Sequence, residues 1–470
     1  MERKWWTLVA VAIGTFMLLL DITIVNVALP DIEQALDASL ADLQWVIDAY
    51  ALTLAAFQLT AGSLADRFGR KKVYAIGIVV FTFGSLLCGI ASSPVFLSLA
   101  RAFQGIGGAI MFPTGLALIS SVFVGRERGT AFGVFGAVTG VAIAVGPVVG
   151  GALVSALSWR WIFFVNLPVG IFAMLITLRQ VAESRNPNAR HVDFFGLVTF
   201  SLGLGLLVYG LIRSNEDGWG SFNVAGSLIA AAVLLVAFVL IEMRGREPMF
   251  DLTLLRKPTF VGGLIAAFSI SASIFAAFPY IVIYMQAALH LSAIEIGVRF
   301  LVLSGPTFFV AALAGRLTNT VPTRFLIGPG FVFIGAALLL MRGIQLDSSW
   351  THLIPGLVLA GIGSGLINVP LASTAVGVVE PQRAGMASGI NATFRQVGIA
   401  TGVAALGAIF SHHATGGRGP EALQGLIDGL NAILLVGGLM ALVAAVLTLV
   451  LIRPQDFVHE GAPQAEAAPA

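Results

Sequence analysis

Long apolar stretches recur along this chain of 470 residues, and they constrain its fold more than any other feature. Fourteen of them approach or exceed the roughly 20 residues that a helix needs to cross a bilayer. They lie near 5–29, 43–65, 73–91, 95–120, 131–156, 161–179, 194–212, 222–242, 258–287, 295–314, 325–342, 351–375, 386–411 and 427–452. The first stretch is too long for a signal peptide and contains Asp21, so we expect it to be retained.

Composition excludes most other classes of protein. Hydrophobic residues make up 57% of the chain and charged residues 11%, whereas soluble proteins carry about 25% charged residues. The net charge of +2 and the absence of a long basic tract argue against a nucleic-acid partner. The single cysteine, Cys88, excludes an intramolecular disulfide and a cysteine metal cluster. We therefore expect an all-α polytopic membrane protein with the lipid bilayer as its partner and no metal.

The placement of basic residues predicts the orientation. If the N-terminus is cytoplasmic, 19 of the 26 lysines and arginines fall in segments on that side and four on the other. Basic loops face the cytoplasm. We therefore expect both termini to be cytoplasmic.

The two ends of the chain resemble each other. Ala61-Gly62-x-Leu64 recurs as Ala314-Gly315-x-Leu317, and further glycines recur at a common spacing of 256 residues, namely Gly105, Gly133, Gly146 and Gly151 as Gly361, Gly389, Gly402 and Gly407. This repeat predicts a six-helix half over 1–180, a linker with two extra helices over 181–257, a second six-helix half over 258–453, and a disordered cytoplasmic tail over 454–470. Parallel repeats of this kind enclose a central site.

The segment after the second apolar stretch combines glycines, an acid and basic residues. It contains Gly62, Asp66, Arg67, Gly69 and Arg70. Glycine allows a tight turn, and the aspartate can cap the following helix or pair with an arginine. This pattern resembles the loop between helices 2 and 3 of the major facilitator superfamily.

Further motifs resemble the fourteen-helix drug:proton antiporter family of that superfamily. They are Leu20 to Pro30 in the first stretch, Arg101 to Gly108 in the fourth, and Gly146-Pro147 with Gly150-Gly151 in the fifth. The resemblance implies two six-helix halves plus two inserted helices, fourteen transmembrane helices in all. It also implies a monomer in the cytoplasmic (inner) membrane that exports hydrophobic, amphipathic or cationic compounds, including antibiotics, in exchange for protons and without another cofactor.

Ionisable groups inside spans are expensive and therefore point to function. Asp21, Asp48 and Arg101 are the candidates for proton coupling, and helix geometry allows all three to lie at one depth. Asp21 can instead bond Arg101 permanently, and Asp48 is either a gate hydrogen-bonder or a proton carrier. Arg395 can bond carbonyls, bind an anion or support packing. The histidines lie in loops or at span edges, so carboxylates are expected to carry the proton.

The glycines of the fifth stretch allow two interpretations. They permit close helix packing, and Pro147 can soften the helix where the halves rock. The polar and aromatic residues expected to line the substrate site are Asn26, Tyr50, Gln104, Phe275, Phe278, Tyr284, Asn368 and Asn391.

Two other functions compete with export. A proton-coupled importer of an organic acid or a sugar is the alternative within the superfamily. A membrane-embedded enzyme would need a nucleophile–base pair, a metal cluster or a nucleotide loop, and the sequence offers none. We therefore expect a transporter and not an enzyme.

Overall fold

The computed structural model describes residues 2–185, 193–245, 250–318, 320–413 and 420–458. This part of the chain is helical and contains no strand. Its long helices are α1 (Arg3–Leu36), α2 (Leu40–Phe68), α3 (Arg70–Gly89), α4 (Pro94–Val122), α5 (Gly125–Ala156), α6 (Trp161–Gln180), α7 (Phe194–Asp217), α8 (Phe222–Arg244), α9 (Pro258–Ala287), α10 (Ala293–Leu317), α11 (Arg324–Met341), α12 (Ile354–Gly377), α13 (Ala384–His413) and α14 (Pro420–Leu451).

Each of these helices corresponds to one predicted apolar stretch. A search of the described residues finds twelve helices that are long and apolar enough to cross a membrane, and α2 and α5 are the other two. The all-α fold is thus confirmed, and the count of fourteen spans stays a prediction. The helix α9 contains one π-helical turn at its centre, Ser271–Phe275.

The helices pack as two groups, α1–α6 and α9–α14, joined lengthwise along two seams. In one seam α2 lies along α13, and in the other α5 lies along α10. The inserted helices α7 and α8 pack on each other, and α7 also packs on α2 and α13. A buried hydrogen bond of 3.0 Å between the hydroxyls of Thr60 and Ser201 fixes α7 to α2. The inserted pair therefore covers one of the two seams.

The two seams contain equivalent glycine contacts. A Cβ atom added to Gly62 on α2 would lie 3.3 Å from the Cα of Gly389 on α13. A Cβ atom added to Gly315 on α10 would lie 2.6 Å from the Cα of Gly133 on α5. The sequence repeat pairs Gly62 with Gly315 and Gly133 with Gly389. The two halves are therefore related by a twofold axis that converts the contact in one seam into the contact in the other.

The first helix is longer than the sequence predicts. It continues through Pro30 to Leu36 and ends where Asp37 adopts a left-handed conformation. Part of the predicted first loop is therefore helical.

The predicted disordered tail over 454–470 starts too early. The side chain of Asp456 accepts a hydrogen bond of 3.1 Å from the amide of Thr259. This contact fixes residues 454–458 to the start of α9, so the prediction is wrong for them. Residues 459–470 lie outside the described residues.

Candidate functional site

A buried ion pair lies inside the first half. The Arg101 guanidinium on α4 donates to the Asp21 carboxylate on α1 over 2.6 Å. The exposed fraction is 0% for Asp21 and 2% for Arg101, so water reaches neither side chain. The sequence predicted that these two residues are candidates to pair, and the structure brings them together.

Neutral amides complete the solvation of this pair. The Gln104 amide donates to Asp21 over 2.8 Å and to the Ser85 hydroxyl over 2.7 Å. The Asn166 amide donates to Asp21 over 3.0 Å and to Ser85 over 3.1 Å. Arg101 also donates to the Gln104 side-chain oxygen over 2.6 Å. We call these five residues the Asp21 network; they join α1, α3, α4 and α6, and the carboxylate depends on their donors because it is fully buried.

Two parts of this network differ from the prediction. The sequence does not place Ser85 or Asn166 in this network, because small polar residues in spans give no signal of what they contact. Gln104 and Tyr50 were expected to contact substrate. Instead Gln104 is fully buried in the network, and the Tyr50 ring centroid lies 4.1 Å from the Arg101 guanidinium carbon. Both side chains serve the ion pair in this conformation.

Asp48 does not join the Asp21 network. It is half-buried on α2, and within the described residues it has no hydrogen-bond or salt-bridge partner. The charges that act on it are those of Glu216 and Arg213 at the end of α7. One helical turn before Asp48, Trp45 stacks on Tyr209 of α7 with ring centroids 6.0 Å apart. Depth along the helix agrees with the expectation of a single layer, but the side chain faces the inserted helices.

A second buried carboxylate joins the halves at one end of the bundle. Asp66, near the end of α2, accepts hydrogen bonds from the amides of Gly385 (2.9 Å) and Met386 (2.8 Å). These amides belong to the first turn of α13, whose N-terminus favours a negative charge. Arg70 donates to the same carboxylate over 2.7 and 2.9 Å, and to the carbonyl of Pro381 over 2.6 Å. We call this group of contacts the Asp66 latch.

Glycines allow the latch to close. A Cβ atom on Gly62 would overlap the carbonyl oxygen of Gly385, so the two backbones touch there. Gly69 has a φ of 107°, a conformation open mainly to glycine, and it turns the chain from α2 into α3. The Glu183 carboxylate then accepts a hydrogen bond of 3.0 Å from the amide of Lys71. Nothing in the sequence predicts this role of Glu183.

Arg67 belongs to the same predicted motif but not to the latch contacts described above. Its guanidinium carbon lies 5.4 Å from the centroid of the Phe68 ring. Phe68 is itself exposed. The predicted motif therefore supplies Asp66 and Arg70 to the latch, whereas the Arg67 side chain is half-buried next to the exposed Phe68.

The glycines of α5 pack against both halves. A Cβ atom on Gly146 would overlap Thr23 of α1, and one on Gly150 would crowd the same helix. A Cβ atom on Gly151 would lie 2.6 Å from a side-chain carbon of α10. Close packing is thus one role of these glycines. Pro147 lies within α5, but the structure does not describe the surroundings of its side chain.

The other predicted substrate contacts do not form one group. Asn26 is exposed on α1 and donates to a carbonyl one turn earlier over 3.4 Å. Phe275 packs against the core of the second half, and Phe278 stacks on Phe300 with centroids 4.3 Å apart. The Tyr284 ring is buried in that core, and its contact with substrate stays a prediction.

The two asparagines of the second half differ in their surroundings. Asn368 on α12 accepts a hydrogen bond of 2.6 Å from Arg395 on α13. Asn391 instead lines a cavity of about 10 Å³ among α9, α12 and α13, and within the described residues its amide nitrogen has no partner. A space of that size holds one water at most. Asn391 therefore faces the interior of the second half in this conformation, and its contact with substrate stays a prediction.

Comparison with known proteins gives consistent matches. The family model described as Major Facilitator Superfamily matches residues 11–403 and 263–470. Multidrug resistance protein Stp of Mycobacterium tuberculosis (strain CDC 1551 / Oshkosh) is 37% identical over 409 residues, covering 86% of this chain and 75% of that protein. Puromycin resistance protein pur8 of Streptomyces alboniger is 35% identical over 479 residues, covering 100% and 95%. The crystal structure of the human organic anion transporter MFSD10 superposes with a TM-score of 0.71 at 14% identity, covering 95% of this chain and 100% of that one.

Proposed function

Because this chain belongs to the Major Facilitator Superfamily, we propose that it exports hydrophobic or amphipathic compounds, antibiotics among them, in exchange for protons. It is a polytopic membrane transporter and not an enzyme. The names of its relatives support the choice of cargo: one is a multidrug resistance protein and another a puromycin resistance protein. A third, from Streptomyces glaucescens, is named a tetracenomycin C resistance and export protein and is 33% identical over 410 residues, covering 87% of this chain and 76% of that protein.

The observation that carries proton coupling is the buried Asp21–Arg101 pair. A carboxylate with no access to water is stable only while its donors stay in place. Protonation of Asp21 cancels the charge that holds Arg101, so the ion pair and the proton-bound state favour different arrangements of α1 and α4. A proton and a conformational change are then thermodynamically linked. Asp48 is the second carboxylate of this half at span depth and stays a candidate carrier.

The Asp66 latch supports alternating access. It holds the end of α2 against the start of α13, so the halves are closed at that end. To open there, the carboxylate must leave the two amides of α13. We place this end at the cytoplasm, with both termini, because the basic loops lie on the same side. The family resemblance further supports a monomer in the cytoplasmic membrane.

The rival function within the family is proton-coupled import of an organic acid or a sugar. The direction of substrate transport distinguishes import from export. An exporter that exchanges protons fills the lumen of an inverted vesicle when that lumen is acidic, whereas an importer driven by protons empties it. No specific observation in the structure favours import.

Inverted vesicles test the proposal. Their lumen is made acidic, and uptake is followed for two fluorescent amphipathic dyes, the cation ethidium and the sulfonate sulforhodamine B. We expect uptake of at least one dye, abolished by an uncoupler and by Asp21→Asn. Asp217→Asn removes a carboxylate at the end of α7, outside the Asp21 network, and is the matched control, which we expect to be active. Uptake that persists in Asp21→Asn would exclude Asp21 as an essential carrier.

A further inference from the structure

We propose that Arg395 and Asn368 form a subsite for an anionic group, so that the exported compounds carry a carboxylate, a sulfonate or another acidic oxygen group on an apolar body. This inference rests on the proposed export function and narrows its substrate class. It departs from the cationic compounds that the family resemblance implied.

The Arg395 guanidinium lies far from both ends of its helix, and no acidic side chain of the second half that the structure describes pairs with it. It lies 11 residues into α13, roughly 17 Å along the helix at 1.5 Å per residue. The sequences of α9, α11, α12 and α13 contain no acidic residue, and α10 has only Glu295, in its first turn. The acids of α14, Glu421 and Asp428, are both exposed near its start. An arginine at the depth of Arg395 is expensive and needs a partner, and none of these acids pairs with it among the described residues.

The geometry leaves part of the guanidinium available. One terminal nitrogen of Arg395 donates to the side-chain oxygen of Asn368 over 2.6 Å, and the Asn368 amide donates to the carbonyl of Ser364 over 2.9 Å. Asn368 is thereby fixed and orients the arginine. Among the described residues, none of the Arg395 nitrogens is both enclosed and without a partner. The remaining N–H groups are therefore not fully enclosed by protein, and a guanidinium edge suits the two oxygens of a carboxylate or sulfonate.

The pair lies between helices that border the first half. Val369, next to Asn368, would overlap a Cβ atom placed on Gly136 of α5. Gly389, on the same helix as Arg395, touches α2. Substrate sites in transporters built from two such halves lie near the midplane where the halves meet. The position of Arg395 agrees with such a site.

The buried carboxylates Asp21 and Asp66 do not offset this charge. Asp21 is paired with Arg101, and Asp66 is paired with Arg70. Each pair is locally neutral, and Asp48 forms no salt bridge among the described residues, so none of these carboxylates pairs with the Arg395 guanidinium where the halves meet. A cationic compound would be repelled there, whereas an anionic group would complete the coordination of the guanidinium.

The test compares two probes that differ in one charge, 11-(dansylamino)undecanoate and its methyl ester. Binding to the purified full-length protein in lipid nanodiscs is measured by dansyl fluorescence. We expect the carboxylate to bind at least tenfold more tightly than the ester. Arg395→Gln should reduce that preference to less than twofold and leave ester binding within twofold of the wild type. Arg395→Lys should keep a partial preference, because it keeps the charge.

Two further variants make the result specific. Asn368→Asp places an acid against Arg395 without changing the size of the side chain, and we expect it to remove the carboxylate preference. Arg299→Gln removes a positive charge from α10 outside the subsite and should keep the preference. Equal binding of carboxylate and ester by the wild type, or a parallel loss of both in Arg395→Gln, would overturn the inference.

Dye uptake separates this inference from the proposed function. A carboxylate preference without gradient-driven uptake of sulforhodamine B or ethidium supports the subsite and contradicts proton-driven export. Gradient-driven uptake of ethidium with no preference for the carboxylate probe contradicts the subsite and leaves the export proposal standing.

Discussion

The Asp21 carboxylate and the Arg101 guanidinium lie 2.6 Å apart, on different helices of one half, and neither is accessible to water. Burying two charges is unfavourable unless both are fully hydrogen-bonded. Here the Gln104 and Asn166 amides add the further donors. The pair is therefore stable as it stands, and a change in the protonation of Asp21 alters the balance of the whole network.

Asp21→Asn should stop proton-driven export and destabilise the protein. The asparagine cannot neutralise Arg101, and breaking a buried ion pair costs about 3–5 kcal/mol. The double variant Asp21→Asn with Arg101→Gln should recover much of this stability without recovering transport. Thermal unfolding of the purified protein and dye uptake measure the two effects separately. Transport restored by the double variant would mean that the pair is only structural.

The Asp66 latch predicts a specific opening. Asp66→Asn retains the shape of the side chain but places an amide, which is a donor, near the two backbone amides and the guanidinium that now donate to the carboxylate. Donors that face each other lose their hydrogen bonds. We therefore expect the end of α2 to separate from the start of α13 in a larger fraction of molecules.

Spin labels at Phe68 and Gln382 report this distance. The native Cys88 is buried and labels poorly, so it does not interfere. Gly62→Ala should lengthen the same distance by steric overlap with α13. An unchanged distance distribution in both variants contradicts the latch.

Asp48→Asn should reduce export less than tenfold. No ion pair is lost, because Asp48 has no salt-bridge partner among the described residues, so we expect the variant to be at least as stable as the wild type. Uptake rates and melting temperatures of the variant and of Asp21→Asn, measured side by side, check this ranking. A complete loss of export by Asp48→Asn, with normal stability, would make Asp48 the principal proton carrier.

The helices and the two buried charges are predictable from the sequence because hydrophobicity and ionisation are local properties. The repeat also pairs Gly62 with Gly315 and Gly133 with Gly389, and both pairs occupy the seams. What a side chain faces is not predictable in this way. Asp48 lies at the depth expected for the network, but its side chain leaves α2 on the side that faces the inserted helices.

Other features depend on tertiary packing in the same way. The contacts of Ser85 and Asn166 and the buried state of Gln104 follow from how helices distant in sequence meet. A single sequence does not show how such helices meet. The sequence leaves the role of Arg395 open for the same reason, and its contact with Asn368 places it between α12 and α13.

The loop before α9 predicts a dependence of stability on pH. Burial alone would raise the pKa of Asp251, but hydrogen bonds from Thr253 and the charge of Arg383 outweigh it and hold the pKa below its ordinary value of 3.8. A group with a lowered pKa stabilises the fold above its unfolded pKa, and this contribution is lost as the pH falls through the folded pKa. Asp251→Asn should therefore lower the melting temperature at pH 7 and have little effect once the pH is below the folded pKa. An equal loss at both pH values would contradict the ion pair.

The last described residues predict where the chain can be shortened. Asp456 accepts from the Thr259 amide over 3.1 Å, and the Val458 amide donates to the Gly377 carbonyl over 2.9 Å. Truncation after Val458 keeps these contacts and should leave the melting temperature unchanged. Truncation after Arg453 removes them and exposes the start of α9, so the melting temperature should fall by several degrees. If both truncated proteins have the same melting temperature as the full chain, this segment contributes nothing to stability.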